Sequence, residues 1–189
     1  MSYRSHGFAE ADTALRCKFG AENASPHFRL VIYIMKPRGA QMGEVMNIKT
    51  KNFGEITIAD EKIIEFPSGI IGFPELTQFA LIHDEDKGVG GIHWLQSVQE
   101  PNFAMPVMDP LLVKEDYNPT VEDELLTPIG EIIPEEILVL VTVTVPSDLT
   151  RMSVNLCGPI VINSATRKAV QIIVEGEDYQ VKFPIYDIL

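Results

Sequence analysis

Residues 137–145 read Ile-Leu-Val-Leu-Val-Thr-Val-Thr-Val, and they decide the class of fold. Every position is β-branched or leucine, the side chains that suit a pleated strand. In the first half both faces are apolar; in the second, threonine alternates with valine. A strand of this kind is buried on both sides where it begins and on one side where it ends, so it is expected to cross the centre of the fold. Glu135 and Glu136 precede it and Pro146, which cannot continue a ladder, stops it.

Working outward, shorter runs of the same texture lie on both sides. Residues 48–50, 55–58 and 63–66 read as strands, with Asn52-Phe53-Gly54 as a turn between the first two. Pro67-Ser68-Gly69 and Gly72-Phe73-Pro74 carry turn chemistry, and Pro74 is placed to open one helical turn through Thr77. Residues 79–83, 92–98 and 103–108 are further strands, the first two joined by a charged, glycine-rich hairpin loop over 84–91. Residues 110–130 are more polar, and read either as holding a short helix at 121–125 or as an excursion on the surface. Beyond the central strand, 153–156, 160–163, 169–174 and 180–185 complete the series. The expected architecture is mostly β: an antiparallel barrel or sandwich of short strands with one or two short helical turns.

The chain has 189 residues and a formal charge of −12, unevenly spread. Residues 1–45 hold six basic and four acidic side chains, a net +2, which leaves −14 on residues 46–189. The first 45 residues also lack helical or strand rhythm. They are expected to be an extension, either disordered or translated from upstream of a true start at Met46, with the β domain occupying 46–189. Such an acidic domain repels phosphate backbones and anionic membranes, which argues against direct nucleic-acid or membrane binding and favours basic protein partners. Two distant cysteines, Cys17 and Cys157, make no disulfide framework, and the apolar run at 30–35 is too short for a signal-peptide core, so a cytoplasmic protein with free thiols is expected.

Chemistry is sparse. His83 and His93 flank Asp84-Glu85-Asp86, but the later oxygen ligands and closing glutamate of a calcium loop are missing, as are zinc-type cysteine pairs and an HExxH. Gly88-Val89-Gly90-Gly91 lacks the Lys-Ser/Thr of a phosphate loop. Cys157, placed in an apolar strand, reads as a buried structural thiol. No catalytic, metal or cofactor set emerges. What remains is acid: Glu85 and Asp86 at the hairpin tip, and Glu115, Asp116, Glu122, Asp123 and Glu124 in the central excursion, candidates for a protein-binding surface or simply a solvated face.

An ordered set of short motifs then suggests a family. Asn52-Phe53-Gly54-Glu55-Ile56 is followed by Phe66-Pro67-Ser68-Gly69-Ile70-Ile71-Gly72-Phe73-Pro74. Trp94-Leu95-Gln96-Ser97, then Pro101, Phe103-Ala104-Met105 and Asp109-Pro110 come next. Asn155-Leu156-Cys157-Gly158-Pro159-Ile160-Val161-Ile162-Asn163, Arg167 and Gln171-Ile172-Ile173 close the chain. In this order the set resembles the flagellar assembly factor FliW family from Met46 to the C-terminus. Cys157-Gly158 departs from a small or charged residue and alanine, frequent in that family there. The resemblance implies a non-catalytic partner switch, monomeric when free. It implies binding to the RNA-binding regulator CsrA, which lifts repression of flagellin translation, and binding to new flagellin, which frees CsrA. The motif residues double as fold determinants: Phe66, Phe73, Trp94, Leu95 and Phe103 as core, Gly69, Gly72 and Pro74 as turn, Asn155 and Asn163 as loop ties. A reading of another class is a small-molecule-binding β-barrel or a cavity enzyme of unknown substrate.

Overall fold

The computed structural model describes residues 30–32, 44–84 and 91–188. Twelve strands run in chain order: β1 (Leu30–Ile32), β2 (Val45–Thr50), β3 (Gly54–Ala59), β4 (Ile63–Glu65), β5 (Gln78–Asp84), β6 (His93–Ser97), β7 (Ala104–Met108), β8 (Ile137–Thr144), β9 (Ser153–Val154), β10 (Ile160–Asn163), β11 (Lys168–Gln171) and β12 (Phe183–Pro184). The one α-helix among the described residues is α1 (Asp123–Leu126).

The central strand is the seam of the molecule. Its first four residues pair antiparallel with β10, from Ile137 opposite Asn163 to Leu140 opposite Ile160. Val141 and Thr142 pair with β7 along the other edge, and Val143 and Thr144 pair with β9. Because β10 also pairs with β11, β11 with β4, and β4 to β7 follow one another, the ring β4-β5-β6-β7-β8-β10-β11 closes into a seven-stranded barrel. The β11–β4 contact, Lys168 opposite Glu65, is parallel. The barrel is therefore mixed rather than wholly antiparallel. Its closing pair joins strands about a hundred residues apart, a partnership that no local pattern encodes.

The two faces of the central strand carry different cores. Leu138 and Leu140 join Ile64, Phe66, Phe79, Leu81, Leu95, Ile160 and Ile162 inside the barrel. Val141 and Val143 point the other way, into a second cluster with Met108, Tyr117, Val154, Leu156 and Ile185. This is the double-sided burial that the continuous apolar run predicts. On the opposite side the β2–β3 hairpin lays Ile48, Ile56 and Ile58 over Ala80 and Ile82. A fourth cluster packs Leu126 and Ile129 on Val161, Ile172 and Val174, so the end of the central excursion covers the outer face of β10 and β11.

Several local expectations need correction. No helical turn forms at Pro74; residues 74 and 75 are a turn. Gly69 at φ +67° sits so close to the Pro74 carbonyl that a Cβ would lie 2.5 Å from its oxygen, and this tight loop leaves the chain no room to begin a helix. Phe73 is 41% exposed rather than core, leaning on half-buried Phe103 at a ring distance of 4.7 Å. Trp94 is half-buried too, outside the barrel, with its ring 5.8 Å from Phe53 of the hairpin turn. Cys157 is in a turn, not a strand, and half-buried. The Asn155 carboxamide oxygen accepts from its backbone N–H at 3.1 Å, which turns the chain before β10 can begin. Leu30–Ile32 do form a short strand, paired with β5 just beyond the stretch that β4 occupies.

Candidate functional site

The excursion between β7 and β8 is held by a short series of local devices. Asp109 caps the 3-10 turn Pro110–Leu112, its Oδ1 accepting from the Leu111 N–H at 2.9 Å. The buried ring of Tyr117 pins the next stretch: its hydroxyl donates to the Leu156 carbonyl at 2.7 Å and its ring meets Tyr179 at 5.1 Å. Burial raises the phenol's pKa well above the ordinary tyrosine value. Helix α1 and the 3-10 turn Thr127–Ile129 follow, ended by Gly130 at φ +89°. The side-chain amide of fully buried Asn163 then donates to the Glu131 carbonyl at 2.8 Å, and Thr166 Oγ1 donates to the Ile129 carbonyl at 2.8 Å. The excursion is thus tied at both ends to the barrel wall, in contrast to a free surface loop.

Between it and the wall lies a cleft of about 160 Å³. Tyr117, Val121, Leu126 and Ile132 line it from the excursion; Val139, Val161 and Ile172 line it from the barrel. Among the described residues the one charged side chain in the lining is Asp109, which is half-buried. Loss of hydration raises this carboxyl's pKa, and the single backbone hydrogen bond from Leu111 only partly opposes that.

The five acids expected in the excursion all lie here and all are exposed. Glu115 and Asp116 stand between the lining residues Leu111 and Tyr117; Glu122, Asp123 and Glu124 stand between Val121 and Leu126. Asp116 pairs with Lys114 at 2.8 Å, which lowers the carboxyl's pKa, first through the hydrogen bond and then through charge. Asp123 and Glu124 occupy the first turn of α1, where negative charge meets unpaired backbone N–H groups. Glu85 and Asp86 lie outside the described residues.

The motif residues are spread around the barrel rather than gathered. Phe66 and Leu95 fill its interior. Gln96 and Ser97 are buried polar groups that shape the β6–β7 loop. The Gln96 amide donates to the carbonyls of Ser97, Pro101 and Phe103, and Ser97 Oγ accepts from the Glu100 N–H. Gly69 and Gly72 adopt positive φ. Asp109, Pro110, Pro159, Val161 and Ile172 are the motif residues that line the cleft. His83 and His93 face each other with ring centroids 4.8 Å apart, yet no group of three potential metal ligands occurs among the described residues. The side chains of the first core lie in the barrel interior.

The apolar lining was not visible in the sequence as a site. Tyr117, Val121, Leu126 and Ile132 are irregularly spaced in a polar stretch, and their partners are the outward faces of strands far along the chain. The available signal was the excess itself: the central strand is apolar on both faces, so something must cover the outer one.

Comparison with known proteins agrees with this geometry. The family model described as FliW protein matches residues 47–185. The chain is 46% identical over 146 residues to the flagellar assembly factor FliW of Lachnospira eligens, covering 76% of this chain and 97% of that one. It is 45% identical over 143 residues to the flagellar assembly factor FliW of Lachnoclostridium phytofermentans, with 75% and 92% covered. A crystal structure of the flagellar assembly factor FliW superposes with a TM-score of 0.68 at 28% identity, over 74% of this chain and 96% of that chain. No helix among the described residues is long and apolar enough to cross a membrane.

Proposed function

The chain belongs to the FliW family of flagellar assembly factors, and from that membership we propose that it is a non-catalytic partner switch in the cytoplasm. In this reading it binds CsrA and relieves repression of flagellin translation, and it binds newly made flagellin, which returns CsrA to its messenger RNA. The observation that carries the reading is the family match across residues 47–185. The charge supports it: a net −14 on residues 46–189 favours a basic, RNA-binding partner over RNA itself. The exposed acids of the central excursion are the surface proposed to meet that partner.

The test uses purified full-length chain, CsrA, flagellin and a labelled RNA carrying a CsrA site. Addition of the chain is expected to release RNA from CsrA, and flagellin added afterwards is expected to restore the CsrA–RNA complex. No complex with either protein, at micromolar concentrations and low salt, would remove the proposal.

A further inference from the structure

We infer that the cleft beneath the central excursion seats an apolar side chain from a partner segment that also carries a lysine or arginine, with Asp109 receiving the cation. The inference deepens the partner-binding reading and rests on it for the identity of the segment, but not for the chemistry of the cleft.

Three features select this occupant. The volume, about 160 Å³, is close to the roughly 150 Å³ of engineered cavities that take a single six-membered ring, so one apolar side chain fits and a folded element does not. The walls are aliphatic, aromatic and proline carbon from Pro110, Val121, Leu126, Ile132 and Val161, which rewards removal of apolar surface from water. The charge in the lining has one sign. Among the described residues Asp109 is the only ionisable acid or base in contact with the cleft apart from the phenol of Tyr117, whose hydroxyl is committed to Leu156. Asp109 takes one hydrogen bond, from Leu111, and no ion pair among the described residues. Lys114, the cation of the excursion, is engaged by Asp116. Exposed Glu115, Glu122, Asp123 and Glu124 are chain neighbours of the lining residues Tyr117, Val121 and Leu126. A half-buried carboxylate without a cation, beside apolar walls and in an excursion rich in exposed acid, complements a basic segment with an apolar anchor and repels an acidic or phosphorylated one.

Two synthetic peptides test the cleft directly, one alternating leucine with lysine and one alternating leucine with glutamate. Methyl NMR on the full chain reads Val121, Leu126, Ile132 and Ile172. The leucine–lysine peptide is expected to shift these methyls; the leucine–glutamate peptide is not. Asp109→Asn keeps an acceptor for the Leu111 N–H and is expected to weaken the leucine–lysine peptide about tenfold, the scale of a charge-assisted hydrogen bond. Val121→Trp, which fills the cleft, is expected to abolish the shifts. Glu55→Gln, on the hairpin over β5, removes a charge elsewhere and is expected to change nothing. Equal response to the two peptides, or undiminished binding in Asp109→Asn, overturns the inference even if Val121→Trp fails to fold. Parallel titrations with CsrA and flagellin separate the two levels. Binding of either to wild type with unchanged affinity in both cleft variants overturns the cleft and leaves the partner switch standing. Binding of neither, with the peptide responses intact, overturns the partner switch and supports the cleft.

Discussion

At the scale of single residues, the polar groups that matter are those held against their preference for water. Asp109 shows the sign of that preference. Its folded pKa is raised, mainly by desolvation, so the folded state holds the proton more tightly than the unfolded chain does. The stabilisation linked to this proton is fully present below the unfolded value near 4 and is lost as pH rises through the raised folded value. At neutral pH the charged carboxylate is therefore a net cost to folding. Asp109→Asn is expected to be as stable as the parent at pH 7 or slightly more so, by roughly 0.5 kcal/mol or less, since solvent screens a half-buried group. The difference should shrink below pH 4. Thermal melts of both proteins at pH 7 and pH 3.5 check this; a variant clearly less stable at pH 7 would show that the carboxylate supports the turn through more than the Leu111 hydrogen bond. Residues such as this one explain what the sequence could and could not reveal. Asp109-Pro110 is legible as a motif, but its place in the lining of a cleft depends on Val139, Val161 and Ile172, which come from later in the chain. The same holds for Asn163, whose amide reaches Glu131 across 32 positions.

At the scale of elements, the strands with a strong local pattern were readable and those completed by their partners were not. The run at 137–145 announced itself because both faces are apolar, and β8 occupies Ile137–Thr144. The stretch at 169–174 was read as one strand, yet β11 ends at Gln171; Ile172 and Val174 go on donating hydrogen bonds to Pro159 and Cys157 after regular pairing stops. At 180–185 only Phe183–Pro184 pair, because β9 offers just Ser153 and Val154. Leu30–Ile32 were missed because a three-residue strand has no periodicity to detect; only the edge of β5 supplies its hydrogen bonds. That edge also sets the expected effect of removing the segment. β4 continues to hold residues 78–80 and β6 continues to hold residues 79–82, so β5 stays anchored on both sides. A chain beginning at Met46 loses the β1 pairing and the bond from Asp60 N–H to the Glu44 carbonyl. It is expected to keep its thermal midpoint within about 4 °C, the shift that roughly 1 kcal/mol produces in a domain of this size, and to keep its partner binding. A fall of more than about 10 °C, or loss of either partner, would make the segment part of the working domain.

At the scale of the whole molecule, the question is whether the acid acts as a field or only as a solvated coat. Residues 46–189 carry −14, and a charge of that size sets up a potential well beyond any single contact. Such a field steers a basic partner chiefly through the association rate, whereas surface charge contributes little to stability. Replacing Glu122, Asp123 and Glu124 by lysine inverts the charge between the lining residues Val121 and Leu126 in the chain and is expected to leave the fold nearly unchanged. The cost should be a few tenths of a kcal/mol for each of Asp123 and Glu124, because they lie in the first turn of α1 where negative charge is favoured. The association rate with CsrA is expected to fall about tenfold or more at low salt and to lose much of its salt dependence, since screening acts over about 8–10 Å at ordinary ionic strength. Inverting Glu115 and Asp116 should act in the same direction with smaller effect, because Asp116 is already paired with Lys114. Glu85 and Asp86 serve as the comparison: they carry the same type of charge but stand far in sequence from the lining of the cleft. Stopped-flow association at two salt concentrations resolves the three sets. If inversion at 122–124 slows association no more than inversion at 85–86, steering comes from total charge. If none of the three sets changes the rate, the acid is only solubilising and the contact with CsrA is apolar.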